Sequence, residues 1–243
     1  MKIKLLIGLA LSISLSCGVS AGDGKAGRPK YAGHYLDPAA QSISQIAPAP
    51  AEGSEPDRID LAALHEWQDK RTQAECDRAK SETSASYNEV FGALTPFPAP
   101  LPKKAAAILA KIKADTDDTV VVIKSHYNRQ RPFNRDAALK PCIDPSLGKI
   151  GPLAYPSGHA TITRVFALLL SDLVPARKDL YMAKADEAAL NRVIAGVHHP
   201  SDVEAGKRLA DSLYAQFLKV PAFRKDLAKL RALLIKEPAA AQK

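Results

Sequence analysis

The amino-acid sequence predicts an all-α fold, on three observations. Apolar residues recur at helical spacing through most of residues 58–236. Strand-type alternation is nearly absent, since the only β-branched run, VVVI at 120–123, is flanked by helix-like sequence. Segments rich in Pro, Gly and Ala separate the periodic stretches, and no internal repeat is visible. We therefore expect one helical domain over residues 58–236, followed by a short tail at 237–243.

A long polar-faced helix is predicted first, because apolar residues from Leu61 onward recur at roughly helical spacing in residues 58–82. Two stretches then interrupt the helical pattern: a Pro-rich connector at 95–102 and a long loop at 134–157. The other helices are predicted at residues 103–113, 116–130, 158–173, 176–195, 201–218 and 222–235.

The N-terminus has the layout of a secretory signal peptide over residues 1–21. A basic start, with Lys2 and Lys4, precedes an apolar stretch and a small-residue cleavage pattern. The alternatives are a buried N-terminal helix and a lipoprotein signal with Cys17 as the acceptor. A signal peptide predicts a periplasmic or secreted protein, in which residues 22–57 form a Pro- and Gly-rich extended arm.

The rest of the sequence predicts a mature protein without an integral membrane segment, since no other stretch approaches about eighteen uninterrupted apolar residues. The formal net charge of +8 favours anionic ligands. Nucleic acid is not an expected partner, because no block of Lys and Arg is interleaved with aromatic residues. Two cysteines remain after signal removal, Cys76 and Cys142. In an exported chain such a pair predicts a disulfide, with two free buried thiols as the alternative.

The first of three polar clusters is KSHYNRQRPF. Lys124 and Arg131 are seven residues apart, so on a continuing helix they would share one face, and Pro132 would end that helix. Two cations at a helix end, with Arg129 and His126 nearby, predict a clamp for a tetrahedral oxyanion. A solvated basic face is the alternative.

The second cluster is YPSGHAT, directly before an apolar helical run. Ser157 is a candidate N-cap, which would leave the amides of Gly158 and His159 free at a helix N-terminus. Such amides bind anions, and a histidine in the first turn is suited to donate a proton to a leaving oxygen. The alternative is an ordinary capped helix with an incidental histidine.

The third cluster is NRVIAGVHHPSD. Ser201 and Glu204 match a capping box, so a helix is predicted to begin there and to leave His198 in the preceding loop. Asp202, in the first turn, is placed to accept a hydrogen bond from one imidazole nitrogen and to leave the other as a nucleophile. His199 is expected to be structural or to lie at a pocket rim. A metal site is disfavoured, because consecutive side chains rarely converge on one ion.

Together the clusters resemble the motifs of the type 2 phosphatidic acid phosphatase superfamily, which includes bacterial class A non-specific acid phosphatases and vanadium haloperoxidases. The family pattern is Lys, six residues, Arg-Pro; then Pro-Ser-Gly-His; then Ser-Arg, five residues, His, three residues, Asp. The sequence departs from this pattern at Asn191, where the family has Ser. It matches the pattern at Lys124, Arg131-Pro132, Pro156-Ser157-Gly158-His159, Arg192, His198 and Asp202.

The resemblance implies a helical domain of the acid phosphatase and haloperoxidase type, with hydrolysis of phosphate monoesters as its activity. The signal peptide and the phenylalanine after Arg131-Pro132 are closest to the class A branch. The family implies His198 as the nucleophile, Asp202 as the acid that orients it, and His159 as the proton donor. It implies phosphate binding by Lys124, Arg131, Ser157, Gly158 and Arg192.

The resemblance also implies small phosphorylated substrates, no metal and no resident cofactor, with vanadate as an inhibitor. An acidic pH optimum is implied in the same way, and a homodimer is one option for the assembly. Three rival hypotheses stay open: a lipid or isoprenoid (pyro)phosphate phosphatase, a haloperoxidase that holds vanadate on His198, and a phosphate-binding protein without turnover.

Overall fold

The computed structural model describes residues 33–145 and 150–235. The predicted signal peptide and the tail at 237–243 lie outside these residues. Within them the chain forms nine α-helices and no strand, so the all-α prediction is confirmed. The helices are α1 (Glu55–Lys70), α2 (Gln73–Ser81), α3 (Tyr87–Phe91), α4 (Lys103–Tyr127), α5 (Pro132–Arg135), α6 (Gly158–Leu173), α7 (Lys178–Ile194), α8 (Pro200–Phe217) and α9 (Pro221–Arg231).

Helix α6 lies at the centre of the domain. Most of its residues are buried, on all sides of the helix, as expected for a helix that is apolar around its circumference. It packs against α4, α7 and α8. Helix α8 crosses it closely at Gly206, where a Cβ atom would lie 2.5 Å from the carbonyl oxygen of Ser157. Only a glycine fits at this crossing without displacing the start of α6.

The prediction of a single helix over residues 58–82 is wrong, because the chain breaks between α1 and α2. Arg71 is extended and ends the first helix. Thr72 then caps the second, since its hydroxyl accepts a hydrogen bond from the Glu75 amide and the Glu75 carboxylate accepts one from the Thr72 amide. This reciprocal capping box starts a new helix at a position where the apolar spacing alone suggests continuity.

Helix α4 also differs from the prediction, because one continuous helix replaces the two that were predicted at 103–113 and 116–130. Thr116 does not interrupt it, since its hydroxyl bonds to the carbonyl oxygen of Ile112 one turn earlier. The helix ends at Tyr127, and Asn128 follows in the left-handed conformation with φ of 50°. Arg131 therefore lies beyond the helix that carries Lys124, and the predicted shared helical face is wrong.

The later helices lie close to their predicted positions. The helix at 158–173 is confirmed at both ends, and α7, α8 and α9 differ from prediction by one to four residues at their ends. The predicted capping box of Ser201 and Glu204 is wrong, because α8 begins at Pro200. The carboxylate of Asp202 instead accepts a hydrogen bond from the His199 amide at 2.8 Å and caps the helix.

The part of the predicted arm that the structure describes, from residue 33, packs onto the helices. Asp115 of α4 is completely buried and accepts hydrogen bonds from three consecutive backbone amides, those of His34, Tyr35 and Leu36. The Tyr35 hydroxyl donates to Asp226 of α9 at 2.7 Å. Helix α1 begins at Glu55, within the range predicted for the arm.

The predicted disulfide between Cys76 and Cys142 is confirmed, with 5.7 Å between the two Cα atoms. It joins α2 to the loop that follows α5. The Cys142 amide also donates a hydrogen bond to the carbonyl oxygen of Ala195, at the end of α7. The disulfide thus braces the third polar cluster, which contains Ala195.

Candidate active site

A cavity of about 500 Å³ opens at the N-terminus of α6. Residues of all three polar clusters line it, although these clusters lie far apart in sequence. Its walls are aliphatic, and its mouth carries a few small polar groups and one acid. The lining residues from the clusters are Lys124, Arg131, Gly158, His159, Arg192 and His198; those of the walls are Val120, Val121, Ile150, Leu153 and Ile162; those of the mouth include Thr83, Ser84, Asp117 and Ser125.

His198 is held by the turn that follows α7. Gly196 adopts a φ of 74°, which favours glycine and reverses the chain. The His198 amide then donates a hydrogen bond to the carbonyl oxygen of Arg192 at 3.2 Å. These contacts fix a buried imidazole at the base of the cavity.

The two nitrogens of His198 have different partners. Nδ1 lies 3.3 Å from a carboxylate oxygen of Asp202, and Nε2 lies 2.6 Å from the guanidinium of Arg131. Since a guanidinium only donates, Nε2 must accept, and Nδ1 carries the proton that faces Asp202. Burial and the nearby Arg131 hold the pKa of His198 well below its ordinary value, in spite of Asp202. The imidazole is therefore neutral at neutral pH, and its Nε2 lone pair accepts a hydrogen bond from Arg131, which also lines the cavity.

Three cations surround His198. Lys124 donates to the carbonyl oxygens of Leu153 and Ala154 at 2.7 and 3.0 Å. Arg131 donates to the Val197 carbonyl oxygen at 2.8 Å, and to that of Gly151. Arg192 donates to the carbonyl oxygen of Ala79 at 3.1 Å. None of these carbonyl partners carries a charge.

The three cations create an electropositive site. Among the described residues none of the three has an ion-pair partner. Burial lowers the pKa of Arg131 to about 10, and burial together with Arg131 lowers that of Arg192 to about 10. Burial and Arg131 also lower the pKa of Lys124. Such uncompensated buried charge is costly, so the site is suited to an anionic ligand.

His159 is the second histidine of the cavity. Both of its ring nitrogens are buried, and neither has a hydrogen-bond partner in the part of the chain that the structure describes. Burial, followed by Arg192 and Lys113, holds its pKa well below the ordinary value. An unpartnered imidazole beside a cationic pocket is available to exchange a proton with a bound ligand.

Two of the expected site residues lie behind the cavity rather than in its lining. Ser157 caps α6 through a hydrogen bond from the Ala160 amide, and its side chain is completely buried. Asp202 is also completely buried and contacts His198 from behind. Gly158 and His159, the first two residues of α6, are the part of that cluster that lines the cavity.

Several other residues of the clusters lie away from the cavity. Asn191 bridges Arg78 and Glu82, since its side chain accepts from the first at 3.2 Å and donates to the second at 3.1 Å. Replacement of the family serine by Asn191 thus concerns a structural contact. His126 is exposed on α4. Arg129 donates to Asp202 Oδ1 and does not line the cavity.

His199 is structural, as expected, but it is completely buried and does not reach the cavity rim. Its Nδ1 lies 2.9 Å from Asp202, and its Nε2 lies 3.1 Å from Arg135. Arg135 makes a bidentate contact with Asp57 of α1, with both distances 2.7 Å. Sequence reasoning missed these α1 and α5 residues, because isolated charges on a polar helix give no signal of burial.

The described residues contain no group of three or more His, Cys, Asp or Glu side chains that is suited to hold a metal ion. None of the helices in residues 33–145 and 150–235 is long and apolar enough to cross a membrane.

Comparison with known proteins gives a consistent set of relatives. The chain is 37% identical to a non-specific acid phosphatase of Salmonella typhi over 110 residues, which are 44% of this chain and 43% of that protein. It is 32% identical to one of Providencia stuartii over 161 residues, 65% of this chain and 63% of the relative. It is also 39% identical to a decaprenylphosphoryl-5-phosphoribose phosphatase of Mycolicibacterium smegmatis over 88 residues, 35% of this chain and 43% of that protein. The chain therefore spans between 43% and 63% of these relatives.

The fold is similar to that in the crystal structure of a bacterial vanadium-dependent iodoperoxidase, with a TM-score of 0.55 and 17% identity. The match covers 74% of this chain and 54% of the other. The sequence model of the PAP2 superfamily matches residues 105–215, a segment that contains all three polar clusters and the cavity residues they supply. Residues 105–215 of this chain are therefore similar to the PAP2 superfamily.

Proposed function

We propose that this protein is a phosphomonoesterase of the acid phosphatase type that acts through a phosphohistidine at His198. The observation that carries the proposal is the convergence on one cavity of three cations without an ion-pair partner among the described residues, of His198 with a partner on each nitrogen, and of His159 with none. Phosphoryl transfer needs little more than positioning and neutralisation of the phosphoryl oxygens. The relatives named as acid phosphatases support the same activity.

In the first step Arg131 transfers its hydrogen bond from His198 Nε2 to a phosphoryl oxygen, and the freed Nε2 lone pair attacks phosphorus in line with the ester oxygen. The N–P bond forms, the P–O bond to the leaving group breaks, and the leaving alkoxide takes a proton from His159. Asp202 accepts the hydrogen bond from Nδ1 and stabilises the positive charge that develops on the ring. Lys124, Arg131 and Arg192 neutralise the equatorial oxygens.

In the second step a water molecule replaces the leaving group. His159, now neutral, accepts a proton from the water as its oxygen bonds to phosphorus and the N–P bond breaks. Inorganic phosphate leaves, and His198 returns to its neutral form with Nε2 again accepting from Arg131. His159 needs its proton only while an anion occupies the cavity, and a dianionic ester would raise its pKa by offsetting the cations that lower it.

Three cations at the N-terminus of a helix, with Arg131 and Arg192 buried and Lys124 partly buried, supply the electrostatic stabilisation that a divalent metal supplies in other phosphatases. We therefore propose that the reaction does not require a metal. The predicted signal peptide and the disulfide between Cys76 and Cys142 support export to an oxidising compartment, the periplasm or the medium.

A lipid or isoprenoid (pyro)phosphate is the alternative substrate class. Two observations favour it: the aliphatic cavity walls formed by residues such as Val120, Val121 and Ile162, and the similarity to a phosphatase of a decaprenyl-linked substrate. The cavity of about 500 Å³ holds far more than a phosphate group, so an apolar leaving group fits either class.

The test is hydrolysis of p-nitrophenyl phosphate by the purified protein in excess EDTA, with His198→Ala and His126→Ala variants in parallel. Because His126 is exposed and outside the cavity, its variant is the matched control. We expect the wild type and His126→Ala to be equally active and His198→Ala to be inactive. An alkali-stable, acid-labile phosphoprotein should form only when His198 is present.

Activity that EDTA abolishes would refute the metal-independent reaction. Lack of activity on p-nitrophenyl phosphate, with turnover of a short-chain prenyl diphosphate, would favour the lipid alternative. Bromide oxidation by hydrogen peroxide after loading with vanadate would favour a haloperoxidase.

A further inference from the structure

Behind the cavity lies a buried ionic cluster, of which the proposed reaction uses only Asp202. Its members are Asp57 and Asp60 of α1, Arg129 of the segment after α4, Arg135 of α5 and Asp202 of α8. We propose that Arg129, held by the two α1 carboxylates, is a positioning residue that fixes Asp202 and thereby sets the tautomer and basicity of His198. This inference rests on the proposed function only for its catalytic consequence.

Arg129 connects the elements of the cluster. Its Nη1 donates to Asp202 Oδ1 at 2.7 Å, and its Nη2 donates to Asp57 Oδ1 and Asp60 Oδ2, both at 2.9 Å. The side chains involved expose at most 6% of their surface. Its Nη1 also contacts the Ser201 hydroxyl at 2.7 Å, and Ser201 in turn donates its amide to Asp60 at 3.0 Å. A planar guanidinium with both ends occupied cannot rotate away from Asp202.

The contact with Arg129 divides the two oxygens of Asp202 between different tasks. Oδ1 is occupied by Arg129, so only Oδ2 faces the histidines. Oδ2 accepts from the His199 amide at 2.8 Å, from His199 Nδ1 at 2.9 Å and from His198 Nδ1 at 3.3 Å. Burial would raise the pKa of Asp202, but the hydrogen bonds from His198 and His199 outweigh it and hold that pKa well below its ordinary value. The carboxylate therefore stays ionised and stays aimed at Nδ1.

Charged groups face His198 both from the ionic cluster behind its ring and from the cavity in front of it. The cluster contributes two guanidinium groups and three carboxylates, which leave one net negative charge behind the ring. Glu52 is exposed and 3.9 Å from Arg135. On the cavity side Lys124, Arg131 and Arg192 face His198. Removal of Arg129 would leave two net negative charges behind the ring and would favour the protonated, non-nucleophilic imidazole.

The experiment is a pair of measurements on Arg129→Met and Arg129→Lys, with Arg164→Met as the matched control. Arg164 forms an ion pair with Asp211 that is outside the cluster. The first measurement is long-range ¹H–¹⁵N NMR of the imidazole rings, which reports the tautomer and titration of His198 without any substrate. The second is the pH profile of kcat and KM for p-nitrophenyl phosphate.

In Arg129→Met we expect the titration of His198 and the acidic limb of kcat/KM to move upward by about one pH unit. We expect kcat to fall by roughly ten-fold or more, with KM changed much less, because the cavity cations remain. Arg129→Lys keeps the positive charge but lacks the planar guanidinium that bonds at both ends. It should therefore have the acidic limb of the wild type but only part of its kcat. Arg164→Met should match the wild type.

An unchanged tautomer and titration of His198 in a folded Arg129→Met protein would overturn the proposal. If that variant does not fold, Asp60→Asn decides: it removes one carboxylate that holds Arg129, so the titration of His198 should move downward, and an unchanged titration in this variant would overturn the proposal. If the wild type hydrolyses no phosphate ester, the proposed function fails, but the NMR measurement still tests the positioning role.

Discussion

Removal of the disulfide gives a prediction whose magnitude follows from the structure. Cys76 and Cys142 are 66 residues apart in sequence. In the chain-entropy relation, a disulfide that closes a loop of that length lowers the entropy of the unfolded chain and so stabilises the folded state by about 4 kcal/mol at 25 °C. For a domain of about 200 residues each kcal/mol shifts Tm by roughly 2–4 °C, so the double variant Cys76→Ala/Cys142→Ala should melt roughly 8–16 °C lower than the wild type.

The assay is thermal unfolding followed by far-ultraviolet circular dichroism, with and without a reductant. Reductant should bring the Tm of the wild type down to that of the double variant and should not change the variant. We also expect the variant to lose activity below its Tm, because Cys142 and Ala195 are hydrogen-bonded ahead of the turn that holds His198. A difference in Tm of less than about 2 °C would refute the reasoning, since the loop-closure entropy would then be absent.

Three further predictions concern the cavity and the helix crossing below it. His159→Asn should lower kcat for alkyl phosphates by roughly 10²–10⁴-fold and for p-nitrophenyl phosphate by less, because nitrophenolate leaves without a proton; equal losses in steady-state assays would contradict the acid role. Vanadate should bind with uptake of a proton by His159, whose pKa is low in the empty cavity, so its affinity should fall as the pH rises. Calorimetry in two buffers measures this uptake, and His159→Asn should lack it. Gly206→Ala should destabilise the protein and impair the site, whereas Gly92→Ala, whose nearest neighbour would be 4.0 Å away, should not; equal melting temperatures would contradict this.

The elements that hold the cavity could be predicted from the sequence where a local signal marks them. Helix α6 has a capping serine at its start and an unbroken apolar pattern, so both of its ends were predictable. The break before Thr72 was also encoded locally, in the capping box with Glu75, but the apolar spacing across it favoured one helix. The end of α4 at Tyr127 depended on Asn128 in the left-handed conformation, which the sequence does not require.

The ionic cluster around Arg129 could not be predicted in the same way. Asp57 and Asp60 are about seventy residues from Arg129 in sequence, and on a polar helix such carboxylates usually face water. Their burial depends on how α1 packs against α7 and α8, which is a property of the whole fold. The cations of the cavity were easier to identify, because each belongs to a motif with fixed spacing.

The contact between Asp115 and the arm has a practical consequence for protein design. Among the described residues, three main-chain amides and no side chain donate to this buried carboxylate, so substitutions at His34 and Leu36 leave the bonds intact. A chain that begins at Gly33 keeps all three donors, and an affinity tag can be attached there. A chain shortened to begin at Pro38 would leave a buried carboxylate without these donors, and each lost bond to a charged group costs about 1.5–3 kcal/mol. The N-terminal limit for a stable recombinant protein is thus set at residue 34 by an acid eighty positions further along the chain.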